Sequence, residues 1–223
     1  MIRGLFLTLA AFAMNLIPGC DYAEWNQKMV VTVETPEGMR MGESVVNIWF
    51  TGNRALAFMD GSSVSWKATG EAVVVDLGER GVLMALLVGE EHMGDAGVNA
   101  SFAFTSMYRL AAGEQETIEG VLDQPKGVPV PLPRKAYPLL VTFRDISDPT
   151  TIEQVDPDNL ARSFGEGVRL NGLTLERTSE PITDRSIRQY LPCTDSFLCI
   201  PVNYDLPYGH SLSYLPNSVF KRS

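Results

Sequence analysis

Hydrophobic and polar positions follow two patterns along this chain, and both belong to β-structure. In the first, apolar and polar residues alternate. Residues 28–35 (KMVVTVET) do so with many β-branched side chains, and residues 168–177 (VRLNGLTLER) do so with charged positions between leucines. Alternation of period two predicts strands with one dry and one wet face. In the second pattern the run is apolar throughout. Residues 82–88 (VLMALLV) and 138–143 (PLLVTF) have no polar face. Such strands are expected to be central and covered on both sides; for residues 82–88 a buried helix is the alternative, although seven residues between glycines is short for one.

Further strands are expected over 43–50 (ESVVNIWF), around Trp66 over 63–68, and over 71–77 (EAVVVDL). Pro36-Glu37-Gly38 is a turn signal, and Gly78-Glu79-Arg80-Gly81 joins 71–77 to 82–88 as a hairpin. Between Gly89 and Gly113 the pattern weakens, with 98–108 either a strand or irregular. Two short helices are expected. Residues 114–122 (EQETIEGVL) carry acids in the first turn, where the helix dipole favours them. Asp156 followed by Pro157 suits the start of a two-turn helix that Gly165 closes. The Val128–Pro133 stretch alternates proline and should be extended, either as a crossover lying over the domain or as a ligand segment for a partner. The fold class that follows is mainly β, a sandwich or curled antiparallel sheet, with two short helices.

The N-terminus has a different character. Arg3 supplies one positive charge, and Leu5–Ile17 is an apolar run broken only by Thr8 and Asn15. As a helix this run spans about 20 Å, short of the roughly 30 Å hydrocarbon core. A short apolar run behind a positive start reads as a signal peptide. Leu16-Ile17-Pro18-Gly19-Cys20 then resembles the lipobox of bacterial lipoproteins, departing from it at Pro18, a position usually taken by a small residue. The resemblance implies a diacylglyceryl group on the Cys20 thiol, cleavage of residues 1–19, and acylation of the new amino group. A plain secretory signal with a coincidental cysteine is the alternative. Asp21 resembles the inner-membrane retention signal of enteric-type lipoproteins.

Composition narrows the function classes. Hydrophobic residues make up 45% and charged residues 20%, as in an ordinary globular protein. The formal net charge of −9 becomes −10 when Arg3 leaves with the leader. This argues against nucleic-acid binding, which needs a basic face, and against charge-driven docking on anionic lipid. With Cys20 lipidated, Cys193 and Cys199 remain as an even pair in an oxidising compartment, read as a disulfide, with free thiols the alternative. No cofactor is implied.

Candidate chemistry is sparse. Asp145, Asp148, Asp156 and Asp158 cluster, but their spacing fits no Ca²⁺ loop, so capping and turn formation is the expected role. His92 and His210 are the only histidines. Neither sits in a G-x-S-x-G elbow or an HExxH zinc motif. Glu90 and Glu91 are adjacent in sequence, so on a strand they point apart, unlike the facing carboxylates of glycoside hydrolysis. Tyr190, Tyr204, Tyr208 and Tyr214 either pin the tail to the domain or form a platform for a glycan or peptide.

Residues 141–183, together with VVTVETPEG (30–38) and GEAVVVDLGERGVLMALL (70–87), resemble a family of uncharacterised bacterial envelope lipoproteins. The resemblance implies envelope localisation and one domain, and no activity. The expected organisation is a signal peptide over 1–19, a lipidated tether over 20–27, a mainly β domain over 28–190, and a Pro/Tyr-rich tail over 191–223 with the cysteine pair packed on the domain. The expected function is that of a non-enzymatic binding or structural module on the periplasmic face of the inner membrane, with an envelope protein or cell-wall component as partner. The alternative is a periplasmic hydrolase that uses His92 or His210 with nearby acids.

Overall fold

The computed structural model describes residues 20–53, 64–89, 122, 125–132, 134, 137–184, 186–195, 199–203, 205–206, 210, 212–213 and 215–222. These form ten strands in two antiparallel sheets. The strands are β1 (Cys20–Thr35), β2 (Gly38–Asn53), β3 (Val64–Glu71), β4 (Val73–Asp76), β5 (Val82–Gly89), β6 (Val130–Pro131), β7 (Pro138–Phe143), β8 (Ile152–Gln154), β9 (Arg169–Thr178) and β10 (Lys221–Arg222). The large sheet runs β10-β3-β2-β1-β9-β6 and the small one β4-β5-β7-β8.

Alternation builds the large sheet. On β1, Ala23, Trp25, Gln27, Met29, Val31 and Val33 are buried, while the residues between them are exposed or half-buried. β9 contributes Leu173 and Leu175 to the same dry face. The inner face of the small sheet meets them with Val73, Val75, Leu83, Ala85, Leu87 and Leu140, so the two sheets share one core cluster.

The expectation of two-sided burial holds for both continuous runs: every residue of β5 and of β7 is buried. The second face carries Val82, Met84, Leu86, Val88, Leu139, Val141 and Phe143. It is covered by apolar side chains from the last part of the chain, among them Ile187, Leu191, Ile200, Leu215 and Phe220. Each fully buried side chain of this size stabilises by about 1.5–3 kcal/mol. The Cys193–Cys199 disulfide joins Cα atoms 5.0 Å apart and closes a small loop in this third layer. A loop this short contributes less than the roughly 3 kcal/mol expected for 15 residues, so burial outweighs the crosslink in holding the tail.

Several boundaries differ from the sequence expectation. Residues 20–27 are not a tether: they are the first half of β1, paired residue for residue with β2 from Cys20↔Asn53 onward. Their inward positions, Ala23, Trp25 and Gln27, continue the dry face past the polar letters that hide it. Asp156 does not cap a two-turn helix. Its carboxylate accepts the Asp158 N–H within a turn, and the α-helix α1 spans only Ala161–Phe164. Gly165 does close it, at φ +93°, donating its N–H to the Ala161 carbonyl. Within the proline-rich stretch, Val130–Pro131 pairs with β9 as β6, the edge strand of the large sheet. The segments 98–108 and 114–121 lie outside the described residues.

Two close approaches define how the sheets join. The chain leaves the large sheet at Glu71 and enters the small one at Val73, so β4 crosses over β2. A Cβ on Gly42 would lie 2.1 Å from the Val74 carbonyl oxygen. At the same junction the Glu71 carboxylate is fully buried. It accepts from the Ser186 N–H (2.8 Å), the Ser186 hydroxyl (2.6 Å) and the Ile187 N–H (3.1 Å). Lys221 Nζ stands 3.3 Å from its other oxygen and bonds Asp184 at 2.7 Å. The Ala72 N–H donates to the Phe220 carbonyl, which seats β10 beside β3.

At the β1–β2 turn, Arg80 forks onto Glu37 with bonds of 2.8 and 3.2 Å and donates to the Phe164 carbonyl at the end of α1. One guanidinium thus ties the β1–β2 turn, the β4–β5 turn and the helix terminus. It holds the Glu37 carboxyl at about 2, below its ordinary 4.5.

Three outcomes are expected. Gly42→Ala forces backbone apart and should cost about 3 kcal/mol, the upper end for overpacking, read as a lower midpoint in urea. Glu71→Ala takes the shared acceptor from the Ser186 and Ile187 N–H groups and leaves Lys221 with Asp184 alone; it should cost about 1–3 kcal/mol for each donor left unsatisfied, with Glu71→Gln milder, and equal stability of the alanine variant would contradict the junction described. The Glu37–Arg80 contact is fully present above pH 4.5 and is lost as pH falls towards 2. A carboxyl NMR titration should show this low midpoint, and Arg80→Gln should return it to the ordinary range.

Candidate functional site

An open groove of about 1210 Å³ runs along β8, the edge strand of the small sheet, between the segment 144–163 and the tail residues 200–212. It brings together Arg144, Glu153, Asp156, Arg162, Asn203 and His210. Arg144 pairs with Glu153 at 2.7 Å. Both are largely exposed, so the pair contributes at most about 1 kcal/mol. The groove is therefore wet and of mixed charge.

His210, expected as a weak catalytic candidate, does line this groove, but it is exposed. Its Nδ1 accepts the Leu212 N–H at 3.1 Å, and its carbonyl accepts the Ser213 hydroxyl. Accepting at Nδ1 leaves the proton of a neutral ring on Nε2. Among the described residues no carboxylate or hydroxyl hydrogen-bonds the ring, so the acid–base–nucleophile chain of a hydrolytic triad is not assembled there. His92, Glu90 and Glu91 lie outside the described residues.

The aspartate cluster has the local role expected of it. Asp145 accepts from the Ser147 N–H (2.9 Å) and hydroxyl (2.6 Å), and its pKa is lowered by those bonds, the hydroxyl first. Asp148 accepts from the Thr150 N–H (3.0 Å) and hydroxyl (2.6 Å) at the start of the 3-10 turn Pro149–Thr151. Asp156 holds the Asp158 N–H, and Asp158 faces Arg134 at 3.2 Å. Each carboxylate is spent on its own loop or on an arginine. Among the described residues no group of three His, Cys, Asp or Glu side chains is placed to hold a metal ion.

Tyr190 packs against the small sheet's outer cluster, with its hydroxyl 3.5 Å from Asp76. Burial, and then the Asp76 charge, raises its pKa. Tyr204, Tyr208 and Tyr214 lie outside the described residues. The disulfide loop is fixed by Asn217, whose amide oxygen accepts the Cys199 N–H at 2.6 Å. Cys20 opens β1 at one end of the large sheet.

Sequence reading missed the groove because its walls come from segments about fifty residues apart. It also missed Glu71, although a lone acid abutting Ala72-Val73-Val74-Val75 was a usable signal: a charge entering a buried strand needs partners. No helix among the described residues is long and apolar enough to cross a membrane. Comparison with protein-family models, with curated proteins and with solved structures finds no match to this chain.

Proposed function

We propose that the chain is a lipid-anchored module of the bacterial cell envelope, acylated at Cys20 after removal of residues 1–19, and that it binds a partner without catalysing a reaction. The observation that carries this reading is the lipobox-like Leu16-Ile17-Pro18-Gly19-Cys20 behind an apolar leader. One structural feature supports it. The paired Cys193 and Cys199 suit an oxidising periplasm. Asp21 favours the periplasmic face of the inner membrane. On this reading the two layers form a sandwich whose outer side is closed by the tail.

The binding role, in preference to the hydrolase reading, draws support from the groove along β8. It offers an ion pair, further charged side chains, an amide and a backbone-bonded histidine, which suit a polar partner such as an envelope protein or cell-wall component.

Mass spectrometry of the membrane-extracted protein tests the anchor. Residues 1–19 should be missing and acyl mass present, whereas Cys20→Ser should keep the leader and carry no acyl group. A Cys20→Ser protein that still loses residues 1–19 before position 20, or a parent protein that carries no acyl mass, would refute it. Crosslinking in intact cells from a photoreactive residue at Asn203 should give one reproducible adduct, and its absence there would count against the groove as the binding face.

A further inference from the structure

The two most exposed large apolar side chains among the described residues are both methionines. Met39 is 51% and Met41 65% exposed, whereas Met29 and Met84 are buried, one in each core cluster. Met39 and Met41 stand on β2 beside the β1–β2 turn, opposite Glu34 and Thr32. On this strand Ser44, Val46 and Ile48 are buried, and Gly42 meets β4. Alternation therefore puts Met39, Met41 and Glu43 together on the outer face of the large sheet, and Arg40 on the other face. Successive positions on one face lie about 7 Å apart. Glu34 is taken by Arg169 through a fork of 2.8 and 2.9 Å. The Glu43 carboxylate has no ion pair or hydrogen bond among the described residues.

We propose that Met39, Met41 and Glu43 form a surface site for a soft monovalent cation, Cu(I), with the two thioethers as ligands and the carboxylate as the opposing charge. Packing does not account for the two methionines, since neither belongs to a core cluster. Thioether sulfur is a soft donor that selects Cu(I) over hard ions. Three rotatable bonds let each side chain swing its sulfur across the gap between the two positions. A hard ion such as Ca²⁺ needs several oxygens, and one free carboxylate stands here. A thioether forms no disulfide, so the pair stays available under the conditions that join Cys193 to Cys199. The site lies on the large sheet, away from the groove along β8, and stands or falls independently of the lipid anchor.

The full chain, carrying isotope-labelled methionine methyl groups, can be titrated with silver nitrate, Ag(I) serving as the air-stable counterpart of Cu(I). The Met39 and Met41 methyl signals should shift together and saturate with one ion for the pair, and those of Met29 and Met84 should stay in place. Calcium nitrate at the same concentration should move none of them. Replacing both Met39 and Met41 by leucine keeps size and apolar character at two exposed positions. The thermal midpoint should be unchanged, and the saturable silver binding should be lost. Glu43→Gln should weaken that binding, and equal affinity would remove the carboxylate from the site. The proposal is overturned if the two signals do not move, if they saturate at different concentrations, if calcium moves them, or if the double leucine variant binds silver as the parent does.

Discussion

The structure turns on one buried carboxylate. Glu71 sits where the chain passes from the large sheet to the small one, with no solvent contact. Ionised and dry, it would be strongly destabilising alone, and its cost is offset only because Ser186, Ile187 and Lys221 converge on it. Those three groups come from the two ends of the tail. The carboxylate therefore fixes where the tail begins its path over the small sheet and where β10 ends it. Replacing the cluster by apolar residues of similar size would keep the volume but remove the directional bonds that choose this path over others. Thr183 adds a second fastening beside it, bonding Val45 through both its N–H and its hydroxyl.

From that junction the layers follow. β5 and β7 have dry faces on both sides, so two sheets alone could not bury them; the tail is the third layer that β5 and β7 require. The β1–β2 turn is closed differently, by Arg80 reaching a carboxylate and a carbonyl from two other segments. Gly165 and Gly167 leave room there for the Arg80 guanidinium and the Pro36 ring. The junction is held by a buried charge with converging donors and the turn by a partly exposed ion pair with a fork geometry, and the two differ accordingly in how much they stabilise.

Much of this was legible in the sequence. Period-two alternation located β1 and β9, and the unbroken apolar runs marked β5 and β7 as central strands. The aspartates between 145 and 158 announced local caps and turns, although Asp156-Pro157 was expected to open a helix and makes a turn instead. Three things were not legible. The first half of β1 was hidden because Gln27 occupies an inward position and Asp21, Glu24 and Asn26 surround it with polar letters. The tail has no period at all, since 3-10 turns and extended pieces present apolar residues irregularly. The groove depends on which distant segments meet, a property of topology that local spacing does not encode.

The covering of β5 and β7 has a consequence for how the chain can mature. Until residues 187–220 are available, one whole face of the small sheet is open hydrocarbon, and Phe220, fully buried, is among the last side chains to close it. A growing chain can assemble the β1–β2 hairpin early from neighbouring residues, yet its interior stays sticky until the far end arrives. Such a molecule has reason to be met by a holding chaperone during synthesis, and any shortened form of it should be a substrate for proteases before it is anything else.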